Sequence, residues 1–578
     1  MKAMGPEDPE TSSSALRKWG PLAAIGVVVA VVAGILVLGS SSGGEDGEAL
    51  DAPATTTAGR PTGAQLPEGV VSFSSAKEKG EEGSIDWGER CDTSTGRLAL
   101  PLSPPPECFK PFTGDNGGAT ETGVTADSIK VVVYLPQAND PILSFIYKQI
   151  GNTDTPDKIW ATYQGFSDLF STYYETYGRK VELVRYDATG NIQDPVAATS
   201  DAETIARDVK PYAVLGGPNL TEAFADTLAA NEVMCISCSP GQPNDWYEER
   251  GPYVWDIAKN TDQNSIMVAE YVGKRLAGGK AQYGGDAVKD QARKLGLVYL
   301  AATPKAQELN DKFVERLADY GVELTEQVSY TDPIALSGQA RDVMARMKSK
   351  GVTTVLFTGD PLAPQTLTQN ATEQDYFPEW VIMGTALVDT TIFARTYDQE
   401  QWKHAFGPSN LFARISPDVA GAGYLYRWYY GTPPPAQQSA LVTPSLQLLY
   451  GVLQGAGPKV THDQFRAIIF NSPIIASTVI SPQISWGDRG IWPGTDYAGL
   501  DDQTEVWWDA TATGQDEIGV DGTGMWSYAE GGKRYLPGQW PKGEPQLFGK
   551  AKNSVTLYTT LPPGITLPQY TPLKPAGG

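Results

Sequence analysis

From Val124 onward, short apolar runs alternate with stretches of helical periodicity, and one βα unit of that alternation occurs twice. The first copy predicts a strand over Val181–Tyr186, a helix over Pro195–Val209, a short strand at Ala213–Leu215, and a second helix ending near Asn231. The second predicts a strand over Leu324–Tyr330, a helix over Gln339–Lys350, a strand over Thr354–Thr358 and a further helical stretch. Each copy is introduced by a Tyr-Gly pair, Tyr177–Gly178 and Tyr320–Gly321. Strand and helix alternating at these lengths predict parallel sheets flanked by helices. A duplicated unit predicts two similar lobes with a cleft between them, an arrangement suited to holding a ligand.

Around these copies the pattern adds a strand at Ile129–Leu135 and helices over Trp160–Tyr177, Gln263–Leu276 and Pro304–Tyr320. It also adds strands at Leu295–Leu300 and Trp380–Met383. Helix starts are explicit. Asp194–Pro195, Thr303–Pro304 and Asp360–Pro361 each place a capping side chain before a proline suited to the first helical position. Asn219-x-x-Glu222 resembles a capping box, and Gly178, Gly321 and Gly351 stand where helices stop.

In open parallel sheets a ligand sits beyond the carboxyl ends of the strands, where helix N-termini point their free N–H groups. Those ends are Pro136–Asp140, Gly216–Thr221, Ser239–Gln242, Ala301–Lys305, Gly359–Asp360 and Gly384–Thr385. The polar candidates there are Gln137, Asn139, Asn219, Thr221, Ser239, Gln242, Asp360 and Thr385. Asp360 also suits capping of its own helix. Trp246, Trp255 and Tyr299 are aromatic side chains able to stack on a ligand or fill a core.

The first 120 residues differ in kind. Pro21–Leu38 is an almost unbroken apolar run, preceded by Lys2, Arg17 and Lys18 and followed by Glu45, Asp46, Glu48 and Asp51. A bilayer span needs about 20 such residues, and the charge asymmetry keeps the N-terminus in the cytoplasm and exports the rest. The expectation is a single-pass anchor in the cell membrane, or a secreted chain if the segment is cleaved near Gly39–Ser41. Residues 40–118 are rich in Gly, Ser, Thr, Pro and Glu and read as a stalk.

Export permits disulfides, and proximity among the four cysteines favours Cys91–Cys108 and Cys235–Cys238. The Cys235-x-x-Cys238 spacing fits a redox motif poorly, because it follows an apolar strand instead of opening a helix. A net charge of −23 argues against nucleic-acid binding. Two histidines, His404 and His462, leave little basis for a zinc site or a Ser-His-Asp triad. His462, at a predicted helix start, reads as a surface residue. No cofactor is implied.

The chain resembles the type I periplasmic binding proteins of ABC importers, in the branched-chain amino-acid (Leu/Ile/Val) receptor branch. The resemblance runs from about Gly123 to Gly457. It rests on Gly123-Val-Thr-Ala-Asp-Ser-Ile-Lys-Val131, Gly178-Arg-Lys-Val-Glu-Leu-Val-Arg-Tyr-Asp187, Ala213-Val-Leu-Gly-Gly217 and Lys294-Leu-Gly-Leu-Val-Tyr299, in that order. It implies two α/β lobes joined by three crossing segments, the first near Trp255–Lys259 and the second near Ala386–Asp389. It also implies closure of the hinge on a ligand, which a membrane permease then reads. Asn219–Thr221 and Ser239–Gln242 take the positions that hold the ligand's amine and carboxylate in the family. The chain departs there: Cys238-Ser-Pro-Gly-Gln-Pro243 replaces the Ser-x-x-Ala/Thr run, and Ala301-Ala-Thr-Pro304 replaces a Tyr-Gly pair. The capture mechanism carries over; the ligand stays open.

The expected organisation is a cytoplasmic tail (1–20), an anchor or signal segment (21–39), a stalk (40–118) and lobe 1 in two parts (119–258 and 388–477) around lobe 2 (259–387). A Trp-, Gly- and Asp-rich extension (478–578) follows, expected to be irregular apart from strand-like runs at Thr504–Trp508 and Ser554–Thr560. Its acidic stretch Asp509–Asp521 fails the EF-hand pattern, with Thr511, Thr513 and Val520 where ligands belong. The leading expectation is a non-enzymatic solute-binding protein that captures a small polar ligand (amino-acid, amide or peptide-like) for ABC permease subunits. The alternative is a sensory or protein-interaction ectodomain on the same fold. A secreted enzyme using C-terminal carboxylates has only composition in its favour.

Overall fold

A computed structural model describes residues 66–573 except Asn219, Pro333, Ile334 and Ala386. The apolar run Pro21–Leu38 lies outside the described residues, among which no helix is long and apolar enough to cross a membrane.

Both copies of the βα unit fold as the pattern predicts, each in its own sheet. In lobe 1, β1 (Ser128–Leu135), β2 (Lys180–Asp187), β3 (Ala213–Leu215), β4 (Met234–Ile236) and β5 (Val254–Trp255) form a parallel sheet in the order β2-β1-β3-β4-β5. In lobe 2, β6 (Leu295–Leu300), β7 (Glu326–Tyr330), β8 (Thr354–Thr358), β9 (Glu379–Ile382) and β10 (Ala405–Ser409) are parallel in the order β10-β9-β8-β6-β7. Near-continuous burial along β1, β6, β8 and β9 is what a sheet covered by helices on both faces requires. Helix starts follow the capping residues: Asp194 accepts from the Val196 and Ala197 N–H groups, and Thr303 from Ala306 N–H. One box does not form as written, since the helix after β3 begins at Ala223 with Glu222 at its N-cap.

Four expectations change. Beyond residue 66 the stretch expected to be a stalk is folded. A short antiparallel pair (Cys91–Asp92 with Arg97–Leu98), closed by the Cys91–Cys108 disulfide, buries Trp87, Leu98, Leu100 and Leu102 in the lobe 1 core. Those residues are spaced by turns and prolines, so no periodicity marked them. Second, the passage back from lobe 2 lies at residues 410–421 and not at Ala386–Asp389, because β10 completes the lobe 2 sheet before the chain leaves. Helices Ala422–Tyr430, Ser439–Ala456 and His462–Asn471 then return to lobe 1.

Third, the C-terminal extension is built into both lobes: Ile484, Trp486, Tyr497 and Leu500 pack in the lobe 1 core, and its strands join the lobe 2 sheet. β11 (Gln503–Gln515) pairs antiparallel with β10, β12 (Asp521–Tyr528) pairs with β11, and β13 (Arg534–Tyr535) adds to β11. Trp508 and Trp526 are buried in that lobe's core. The Ser554–Thr560 run makes isolated bridges and no strand. Fourth, His462 is a core residue: its ring stacks on Tyr212, and Nε2 lies 2.8 Å from the Tyr212 carbonyl. Burial depresses its pKa.

The chain passes between the lobes four times, in two pairs. Residues 256–260 run beside 496–502, with Asp256 N–H donating to Tyr497 O and Leu500 N–H to Ile257 O. Lys259 is buried between them and donates to Leu500 O at 2.8 Å. Residues 410–421 run beside the C-terminal tail, joined by a parallel bridge between Ile415 and Tyr558. The tail then reaches lobe 1, where Leu573 N–H donates to the Tyr173 hydroxyl.

Candidate functional site

The carboxyl ends of β1, β3 and β4 face segment 387–393 of lobe 2 across a cavity of about 240 Å³. Lobe 1 supplies Pro136, Gly216, Gly217, Ser237 and Pro240 from its strand-end loops. Gly217 is there for space, since a Cβ would sit 2.7 Å from the Cys238 carbonyl oxygen where the loops after β3 and β4 touch.

Helix Pro141–Ile150 forms one wall. Asp140 starts it by accepting from the Ile142 and Leu143 N–H groups, each at 2.9 Å, while its second oxygen accepts from Ile192 N–H at 2.8 Å. Leu143, Ile146, Tyr147 and Ile150 recur at helical spacing and line the cavity. Ile146 belongs to the buried core of lobe 2, so this lobe 1 helix bridges the cleft.

The opposite wall is Leu387, Thr390, Ile392 and Phe393, with the tip of the β11–β12 hairpin beside it at Glu517 and Ile518. Arg395 holds the tip in shape. Its guanidinium donates to the carbonyls of Gly514, Val520, Gly522 and Gly524 at 2.7–3.0 Å and lies 3.4 Å from the Asp516 carboxylate. The Glu517 carboxylate accepts from the Thr391 and Ile392 N–H groups at 2.9 and 2.8 Å, with Arg414 Nε at 3.6 Å. A second cavity of about 360 Å³ lies on the other side of Glu517 and Ile518, against Phe412–Ile415 and Pro433–Ala436.

Carboxylates around the crossings are buried enough to titrate high. Burial pushes Asp256 up to about 6 and Asp389 up to about 7, although Tyr247 and Ser409 respectively donate to them. A cluster of amides fills the space beside the second crossing. Asn410 donates to Gly384 O and to Asn264 Oδ1, and Gln503 donates to Asn264 and to Asn410. Among the described residues no group of His, Cys, Asp and Glu is disposed to hold a metal ion.

The sequence located the loops of this site better than its side chains. None of the described candidates lines the cavity. Gln137 is half-buried and Asn139 exposed, while Thr221 accepts from Ala223 N–H near the start of its helix. Ser239 is buried and accepts from Gln242 Nε2, so those two meet each other. Trp255 is fully buried against Phe465, Phe470 and Tyr497, a core residue. Tyr299 is buried and donates to Gln307. Asp360 is not the cap the Asp–Pro pair predicts, since its helix begins at Ala363 with Leu362 at the N-cap. It accepts from the Leu362 and Ala363 N–H groups in the turn ahead and from the Tyr330 hydroxyl at 2.5 Å, and burial lifts it to about 6. Thr385 is half-buried, its hydroxyl without a partner. Asn219 lies outside the described residues. Cys235 and Cys238 are disulfide-bonded, as are Cys91 and Cys108.

Sequence reasoning missed the Pro141–Ile150 wall, although Asp140–Pro141 is the same cap-and-proline signal that marked other helices. It also missed Glu517 and Ile518, whose position depends on pairing between β10 and β11.

A family model described as periplasmic binding protein matches residues 161–490, more than half of the chain. The structure is similar to the branched-chain amino acid transporter substrate-binding protein LivJ of Streptococcus pneumoniae in complex with isoleucine. Identity there is 13%, over 70% of this chain and 100% of that one, with a TM-score of 0.46. It is also similar to an R. palustris ABC-transporter solute-binding protein in complex with 4-hydroxybenzoate (13% identity, 69% and 97% covered, TM-score 0.46). A type 1 periplasmic binding protein of Bordetella pertussis gives 14%, 66% and 97%, and 0.45. At these identities and scores nothing about ligand or site passes from those structures to this chain. No curated protein sequence matches it.

Proposed function

The chain belongs to the periplasmic binding protein family, and from that premise we propose that it captures a small organic solute between its lobes and delivers it to an ABC importer. The observation that carries this reading is the cavity at the strand ends of lobe 1, walled on its far side by segment 387–393 of lobe 2. Paired crossings at 256–260 with 496–502 and at 410–421 with the C-terminal tail supply the hinge about which such lobes open. The polar strand-end candidates act, in this reading, by shaping the loops; the groups that touch solute come from Pro141–Ile150, Ser237, Gln438–Ser445, 387–393 and the hairpin tip.

The protein works outside the cytoplasm, tethered by the apolar run Pro21–Leu38 behind its basic N-terminal flank, where a permease in the same membrane meets it. It performs no catalysis of its own. The test is a thermal-shift screen of the soluble fragment from Leu66 onward, followed by small-angle scattering with and without any solute that shifts the transition. A saturable rise in melting temperature accompanied by compaction is expected. A broad solute panel that produces neither would remove the reading.

A further inference from the structure

We infer that the solute taken by this cavity is uncharged and largely apolar, carrying one hydroxyl or amide group. The inference deepens the capture reading and rests on it. Among the described residues lining the cavity, Glu517 alone is charged. Both of its oxygens are occupied by the N–H groups of Thr391 and Ile392, and Arg414 stands behind it as counter-charge. Arg395, the other nearby cation, is engaged by the hairpin carbonyls and Asp516. An anionic group entering the cavity would therefore meet a carboxylate and no free cation. An ammonium would add an uncompensated charge beside a pair that is already neutral. Buried charge without a partner is strongly disfavoured.

Several of the remaining polar lining groups are engaged within the protein. Gln438 donates to the Tyr147 hydroxyl, Tyr134 donates to Asp201, and Thr390 donates to Leu387 O. Ser237 differs: its buried hydroxyl leans toward the Asp256 carboxylate without reaching hydrogen-bonding geometry. Having no partner of its own, it is available to one neutral donor or acceptor on a solute. The rest of the wall is aliphatic and aromatic, including Leu143, Ile146, Leu387, Phe393 and Ile518. The space is that of about eight waters at ~30 Å³ each, which sets a small solute.

The experiment is calorimetric titration of the full chain with one apolar skeleton bearing different groups: p-cresol, 4-methylbenzamide, p-toluate and 4-methylbenzylamine, with leucine as a zwitterion. Cresol and the amide are expected to bind about a hundredfold or more tighter than the three charged compounds. Ile518→Trp, which fills the cavity from the hairpin tip, is expected to abolish that binding. Ser237→Ala keeps the cavity open and is expected to weaken it by about three- to tenfold, the worth of one hydrogen bond. If p-toluate, the amine or leucine binds as tightly as the neutral pair, and Ile518→Trp abolishes it, the solute class is wrong and capture stands. Neutral binding that survives Ile518→Trp, or is indifferent to Ser237→Ala where Ile518→Trp does not fold, overturns the placement. Only a chain that binds nothing in the broad panel removes capture itself.

Discussion

Lobes 1 and 2 grow from the same βα unit, yet they wall the cavity with different kinds of chain. Lobe 1 uses mostly what its own sheet presents, the turns after β1, β3 and β4 and the helices that follow β1, joined by the start of its returning helix at Gln438–Ser445. Lobe 2 uses a segment past its β9 strand and a hairpin tip more than a hundred residues further on, brought in because β11 pairs with β10. The sheet-end part of the first wall is held by backbone turns. The second is assembled at long range and held by side chains, chiefly Arg395 and Glu517. The two walls should therefore fail in different ways.

Removing Arg395 breaks the comparison hardest. Arg395→Ala removes a charged donor from four carbonyls and the ion pair from the Asp516 carboxylate. A loss of about 3 kcal/mol or more is expected in urea unfolding, with faster amide exchange over the hairpin tip and unchanged exchange over β1–β5. Wild-type stability in this variant would mean that strand pairing alone holds the tip.

Acidity is the next lever, and it runs against the usual direction for carboxylates. Asp256, Asp360 and Asp389 are buried, and their pKa values rise from 3.8 to about 6, 6 and 7. The folded state then holds protons that the unfolded chain has released. Their stabilising contribution is fully present below pH 3.8 and is lost as pH rises through 6 to 7. A carboxyl that holds its proton tenfold more tightly when folded contributes about 1.4 kcal/mol, all of it lost across that window. Asp389→Asn should reduce the lobe 2 share of that slope, leaving the part due to Asp360, and Asp256→Asn should remove the share at the first crossing. A pH profile identical in the wild type and both variants would contradict the assignment.

Gly217→Ala probes the local wall. The new Cβ would lie 2.7 Å from the Cys238 carbonyl and 3.1 Å from its Cα, both backbone-anchored, so the loops after β3 and β4 must separate. Overpacking of this kind costs about 1–3 kcal/mol. Solute binding should weaken with it, while the hairpin tip keeps its protection.

These differences also explain which parts of the molecule could be read from its sequence. The lobes were legible because burial on both faces of a parallel strand forces unbroken apolar runs, as in Val131–Leu135 and Val355–Phe357, and because Asp–Pro and Thr–Pro pairs announce their helices. The folded part of the N-terminal stretch was not, because a disulfide and scattered large residues replace periodicity there. At the site, loops were found and side chains were not. A strand-end rule selects polar residues in turns, and these turns pair theirs with one another, as Gln242 does with Ser239. Nothing in the residues around Glu517 indicates that it reaches the amides of Thr391 and Ile392, since that contact follows from antiparallel pairing across some hundred residues.

The smallest expected effect separates the two walls most finely. Asp140 and Glu517 play matching parts: each carboxylate accepts from two consecutive N–H groups near a helix start, and each ties together distant segments. Asp140 joins residues within lobe 1, and Glu517 joins the hairpin tip to segment 387–393. Converting either to its amide keeps the shape and turns one acceptor oxygen into a donor, so one N–H contact is lost at a cost of about 1 kcal/mol. In Asp140→Asn the surrounding turns are still tied by the sheet, and the loss should spread over global unfolding. In Glu517→Gln the tip has less else to hold it, because the Arg414 counter-charge loses its partner as well. Amide exchange at Thr391 and Ile392 should therefore accelerate locally in Glu517→Gln, with the denaturation midpoint almost unmoved. Equal and global responses in the two variants would show that the long-range wall is as firmly built as the local one.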